Sequence, residues 1–126
     1  MINELAKQVH QNAKDHGFFD KEKNIGEMLC LIHSEVSEAL EADRKDMYFN
    51  KRMEYQPITV VNGWVSDIDF IKAFKQYCKG TFEEEMADIV IRVMDLCAFK
   101  GIDLEAHIKA KMRYNSLREY KHGKKY

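Results

Sequence analysis

One proline and six glycines in 126 residues leave little punctuation for a turn-rich β fold, because tight turns draw on those two residues. Long apolar runs are missing as well. None approaches the roughly 20 residues that a membrane span needs, so no membrane partner is expected. The three cysteines, Cys30, Cys78 and Cys97, are odd in number and form no C-x-x-C; they are expected to be reduced core thiols of a cytoplasmic protein. An excess of one charge is also lacking, since 20 Lys and Arg stand against 21 Asp and Glu for a net charge of −1. That balance gives no reason to expect a nucleic-acid partner. No G-x-x-x-x-G-K-[ST], G-x-G-x-x-G or G-x-S-x-G is present, which removes the corresponding phosphate-loop, dinucleotide and nucleophile-elbow readings. The opening MINELAKQVHQNAKDHG is amphipathic and mixed in charge, unlike a signal peptide.

What is present describes an ordinary globular chain: 45% hydrophobic and 33% charged residues, in a length that suits one domain spanning 1–126. Helical periodicity dominates. Ile2, Leu5, Ala6, Val9 and Ala13 predict a helix over 2–15, stopped at Gly17, with Phe18 and Phe19 plugging the core beneath. A second helix is predicted over 25–44, with Leu29, Ile32, Val36, Ala39 and Leu40 as its apolar stripe. Thr81-Phe82-Glu83-Glu84 is a capping box. It opens a third long helix over 82–100 that is apolar nearly all round, as in a deeply buried helix or an oligomer interface. Its one polar line is Glu85, Asp88, Arg92 and Asp95. Gly101 ends it, and Asp103 caps a fourth helix running to about 120, with Leu104, Ile108, Met112 and Leu117 inward. The connection at about 45–80 is the irregular part. Ile58 to Val65 reads as a short β-hairpin around Asn62-Gly63, followed by a short helix capped by Ser66 or Asp67, with Ile68, Ile71, Phe74 and Cys78 inward and Gly80 at its end. The expected fold is therefore all-α, a small bundle of four main helices with an inserted segment.

The chemistry is concentrated in two acidic clusters inside apolar runs. Helical spacing puts Glu35 with Glu38 on one face, and Glu85 with Asp88 on another. Ionised carboxylates without partners are costly to bury. If the two helices meet, the four acids converge, and like charges at that range need protons or cations between them. A divalent ion is the simplest counter-charge, and an all-oxygen donor set suits Mg²⁺ or Mn²⁺. The alternative is that each pair is a solvated helix face. A ferritin-like di-iron site is set aside, because the one Glu-x-x-His spacing is Glu119 to His122, at the tail. His10, His16 and His33 are expected at surface or boundary positions. From Lys109 to Tyr126 seven Lys and Arg face one acid, Glu119; this stretch either meets phosphates or is a solvated basic end.

The ordered set E-x-x-E, E-x-x-D and K-x-x-x-N-x-x-R, carried by Glu35, Glu38, Glu85, Asp88, Lys111, Asn115 and Arg118, resembles the all-α nucleoside triphosphate pyrophosphohydrolases of the MazG type. The Gly101-Ile102-Asp103-Leu104 turn and the closing His122-Gly123-Lys124-Lys125 are similar too. The resemblance covers 25–44 and 81–125. It implies Mg²⁺-dependent hydrolysis of an NTP or dNTP to the monophosphate and pyrophosphate. It also implies that Glu35, Glu38, Glu85 and Asp88 hold metal and perform catalysis, that Lys111, Asn115, Arg118 and Lys124 bind substrate, and that the chain forms a homodimer or homotetramer. Two features depart from the pattern. The 46 residues from 39 through 84 are a longer connection than the family usually has, and Arg92 has no assigned role. The alternatives are a selective dUTP, dCTP or phosphoribosyl-ATP pyrophosphatase, or a non-catalytic helical interaction protein.

Overall fold

The computed structural model describes residues 1–49 and 66–126. Among them are five α-helices and no strand: α1 Ile2–Asp15, α2 Ile25–Arg44, α3 Asp67–Ala73, α4 Phe82–Phe99 and α5 Leu104–Ser116. The fold is a small all-α bundle. The hairpin expected over 58–65, with Pro57 and Trp64, falls outside the described residues. No helix among them is long and apolar enough to cross a membrane. The chain forms two compact units, Met1–Lys23 with Val93–Tyr126, and Asn24–Arg92.

In the first unit, α1 starts without a capping side chain of its own. Glu105, in the first turn of α5, accepts the Ile2 N–H at 3.2 Å. Asn3 returns the favour: its Oδ1 accepts the Glu105 N–H at 3.1 Å and its amide donates to Asp103 at 2.7 Å. Two helix starts thus satisfy each other's exposed N–H groups. Asp103 also caps α5 itself, accepting from the Ala106 N–H. α1 closes as expected at Gly17, whose positive φ of 81° lets the Phe18 N–H reach back to the Ala13 carbonyl. Phe19 packs edge-on against His10, with centroids 4.6 Å apart, and lies 5.2 Å from Phe99. Phe18, expected beside it in the core, is exposed.

The second unit holds α2, α3 and the first half of α4. Phe49 and Cys78 are buried, with Phe70, Phe74 and Tyr77 packed around them. α3 begins at Ser66, whose hydroxyl accepts from the Asp69 N–H, and continues through one π turn, Phe74–Cys78. Ile68 and Ile71, expected inward, are exposed, while Cys78 is buried as expected. The capping box holds α4 in place. The Thr81 hydroxyl accepts from the Glu84 N–H at 3.3 Å and donates to the Cys78 carbonyl at 2.6 Å. Glu84 in turn reaches back to the Gly80 N–H.

Several expected core positions lie outward. On α2 the buried residues are Met28, Glu35, Ala39 and Ala42, whereas Leu29, Val36 and Leu40 are exposed. The helix is turned by about one position from the face its largest side chains would choose. On α4 only Met94 is buried; Met86, Val90, Ile91 and Phe99 are exposed, so the helix is not deeply buried within this chain. α5 ends at Ser116, with Leu117 as its cap, before the expected 120. Met112 and Leu117, expected inward, are exposed. Cys30 is exposed rather than core, and none of the three cysteines forms a disulfide.

Thr81 is the one fully buried side chain among the described residues, at 1% exposure. Thr81→Ala is expected to destabilise the protein by about 1–2 kcal/mol, from the lost cap. Thr81→Ser should recover most of that. Urea unfolding of the three proteins measures it.

Candidate metal centre

Three of the four expected acids meet. Glu35 on α2 and Glu85 and Asp88 on α4 each place a carboxylate oxygen within 4.8 Å of the others. The spacing of three between Glu85 and Asp88 keeps both on one helix face. Glu35 is 6% exposed, against 50% for its neighbour Val36, so α2 directs the acid and not the valine inward. Glu38, one turn on, is exposed, and its carboxyl hydrogen-bonds that of Glu85.

The electrostatics follow from this crowding. Burial, then the charge of Glu38 and the hydrogen bond to it, then Glu84 and Asp88, push the Glu85 carboxyl up to about 7. Asp88 is raised as well, first by burial and then by Glu35 and Glu84, with Arg92 opposing. Among the described residues the cation in direct contact is Arg92, one turn beyond Asp88, whose Nε donates to Oε1 of Glu35. Sequence spacing placed Arg92 on the acidic line at i+4 from Asp88 and i+7 from Glu85. That line did not reveal that its partner would come from α2. Asp95, the last residue of the line, pairs instead with His10, Nδ1 to Oδ1 at 2.7 Å.

The donor set fits a hard divalent cation. It consists of carboxylate oxygens with no nitrogen or sulfur. Two ligands across an octahedral Mg²⁺ stand about 4.2 Å apart, twice the ~2.1 Å bond length. The three oxygens, all within 4.8 Å of one another, would draw closer on an ion, because at most one of their three pairs can lie across it. Like-charged carboxyls with raised pKa values are also what a site organised around a missing counter-charge should have.

The expected substrate-binding residues belong to the other compact unit and group among themselves. Lys111 and Arg118 flank the Tyr114 ring, with Lys111 Nζ 5.0 Å and Arg118 Cζ 5.6 Å from its centroid. Arg118 also donates to the His122 carbonyl at 3.2 Å. Because α5 ends at Ser116, Arg118 lies past the helix rather than on one continuous face with Lys111 and Asn115. Asn115 is half-buried, and Lys111 and Lys124 are exposed. Tyr114 was not singled out in the sequence, although its position between two cations at i−3 and i+4 was visible there. No family model, curated protein or solved structure matches the chain.

A raised carboxyl pKa means that the native state binds its proton more readily than the unfolded chain does. The contribution of Glu85 is therefore fully present below its ordinary value of 4.5 and is lost as pH rises toward about 7. The metal-free protein is expected to lose on the order of 2 kcal/mol across this window. Saturating Mg²⁺ should remove the loss, and Glu85→Gln should raise the metal-free melting temperature at the upper end of it. Thermal unfolding across the window, in EDTA and in Mg²⁺, gives the answer.

Proposed function

We propose that the protein is a Mg²⁺-dependent nucleoside triphosphate pyrophosphohydrolase, acting on an NTP or dNTP to give the monophosphate and pyrophosphate. The observation that carries this reading is the convergence of Glu35, Glu85 and Asp88, with Glu38 beside them, in a segment that is otherwise apolar. The resemblance of the acid pairs and of Lys111-Asn115-Arg118 to MazG-type enzymes supplies the substrate class. A non-standard nucleotide is within that class, as are the narrower dUTP, dCTP and phosphoribosyl-ATP reactions.

Glu35, Glu85 and Asp88 would hold Mg²⁺, with Mn²⁺ as a substitute, and Glu38 would complete the set. Bound Mg²⁺ supplies charge neutralisation at phosphate oxygens and Lewis-acid activation of water. The chain's own part is to hold the acids in register. Burial of Glu35 fixes one carboxylate, and the helical spacing of Glu85 and Asp88 fixes two more. Glu38, which keeps solvent exposure, is the acid suited to orient the attacking water. Lys111, Asn115, Arg118 and Lys124 bring cationic and amide donors for phosphates or sugar.

The uncovered apolar residues support a homo-oligomer. Leu29, Val36 and Leu40 recur at seven and four residues along α2, and Met86 and Val90 at four along α4, all exposed. Such stripes are what a helical interface between copies uses. The same observation is what a non-catalytic interaction protein would offer, so turnover decides between the two.

Wild-type protein with Mg²⁺ is expected to release pyrophosphate, and not orthophosphate, from at least one member of an NTP and dNTP panel, and EDTA is expected to stop it. Asp88→Asn should lower turnover by at least ~100-fold, or about 2.7 kcal/mol. Lys111→Ala and Asn115→Ala should each lower kcat/KM by at least ~10-fold, about 1.4 kcal/mol, with the melting temperature nearly unchanged. A silent panel from a folded, Mg²⁺-binding oligomer would favour the interaction protein.

A further inference from the structure

Arg92 has one contact that the reaction above does not use. Its Nε donates to Oε1 of Glu35, and the two ends of the pair differ. The Glu35 side chain is 8% exposed and that of Arg92 is 40% exposed. The carboxylate is fixed in the interior, while the guanidinium sits at the rim on a long side chain with open solvent beside it. Glu35 is also the one buried acid among the described residues, and it is a member of the three-carboxylate group. A single buried carboxylate thus holds a guanidinium and belongs to the group that would hold a divalent ion.

We propose that Arg92 is a resident counter-cation of Glu35 that a divalent ion displaces. The inference rests on the metal reading of Glu35, Glu85 and Asp88. Glu35 cannot remain bare in the interior without a large penalty, so some cation must hold it before metal arrives. Arginine cannot yield by losing its proton in the accessible pH range. It can yield only by moving, and its exposed side chain gives it somewhere to go. The exchange keeps Glu35 paired in both states. No bond is made or broken and no proton changes hands; one cation replaces another. Two consequences follow. Metal affinity is set below what the carboxylates alone would give, and the stabilisation by Arg92 belongs to the metal-free state only.

The experiment uses full-length wild type, Arg92→Gln and Arg92→Lys, with Mg²⁺ binding measured by calorimetry and thermal unfolding followed in EDTA and in saturating Mg²⁺. Arg92→Gln is expected to melt lower than wild type in EDTA, to bind Mg²⁺ at least ~5-fold more tightly because no competitor remains, and to reach the wild-type melting temperature once Mg²⁺ saturates. Arg92→Lys should fall between the two. If Arg92→Gln is unfolded without metal, Mg²⁺ should fold it; a variant that stays unfolded in saturating Mg²⁺ overturns the proposal. In wild type, the ¹H–¹⁵N resonance of the Arg92 Nε–H, identified by its absence in Arg92→Lys, should sit at a hydrogen-bonded position without metal and move to that of a solvated arginine as Mg²⁺ is added. A resonance that stays bonded at saturation, or weaker Mg²⁺ binding by folded Arg92→Gln, would make Arg92 an orienting group that remains on Glu35 and would overturn displacement. Wild type that binds no Mg²⁺ would remove the metal reading itself, and the displacement with it.

Discussion

The carboxylate of Glu35 is buried in a helical protein with few buried residues, and neighbouring structure answers to that fact. A bare carboxylate in an interior is among the most costly things a fold can contain. Here it is met by Arg92 from α4 and crowded by Glu85 and Asp88 from the same helix. α2 and the first half of α4 thus meet in a polar contact. The apolar side chains of α2 accept the orientation that this contact leaves them.

That orientation explains why α2 buries Met28, Ala39 and Ala42 together with Glu35 while Leu29, Val36 and Leu40 stay outside. A helix has one inward face. Once Glu35 occupies it, residues one position away are carried about 100° off it. Small alanines then suit the inward face, and the larger aliphatics form a second stripe. A stripe of that kind needs a partner of its own, which ties the chemistry of the acids to the oligomer proposed for the chain. The same logic separates the polar line of α4. Glu85, Asp88 and Arg92 serve the acid group, and Asp95 turns to His10.

The charge pattern gives the acid group its character. Glu85 is pushed to about 7 by burial first and by Glu38 next, and Asp88 shifts in the same direction. Among the described residues one guanidinium faces the group, and one guanidinium cannot neutralise four carboxylates. The raised pKa values of Glu85 and Asp88 express the repulsion that remains. A set of hard oxygen donors of one charge is what the proposed metal chemistry would draw on.

Local signals carried much of this structure in the sequence itself. The start of α2 at Ile25, its end at Arg44, the capping box at Thr81, the Asp103 cap and the stops at Gly17 and Gly101 all depend on a few neighbouring residues and on backbone conformations that glycine alone adopts readily. The pairing of Glu35 with Glu38, and of Glu85 with Asp88, follows from helical spacing alone. Which face of α2 turns inward could not be read this way, because the hydrophobic stripe and the acidic pair compete for it and only the neighbouring helix decides. The same holds for Arg92, whose helix position was evident but whose partner lies 57 residues away in sequence. It holds too for Ile68, Ile71, Met112 and Leu117, whose exposure depends on whether another surface reaches them. Sequence determined the helices, their caps and the identity of the acids, since these are set by contacts within a turn or two. Tertiary structure alone decided the burial of Glu35 and its counter-cation, since burial is a property of what packs against a residue and not of the residue itself.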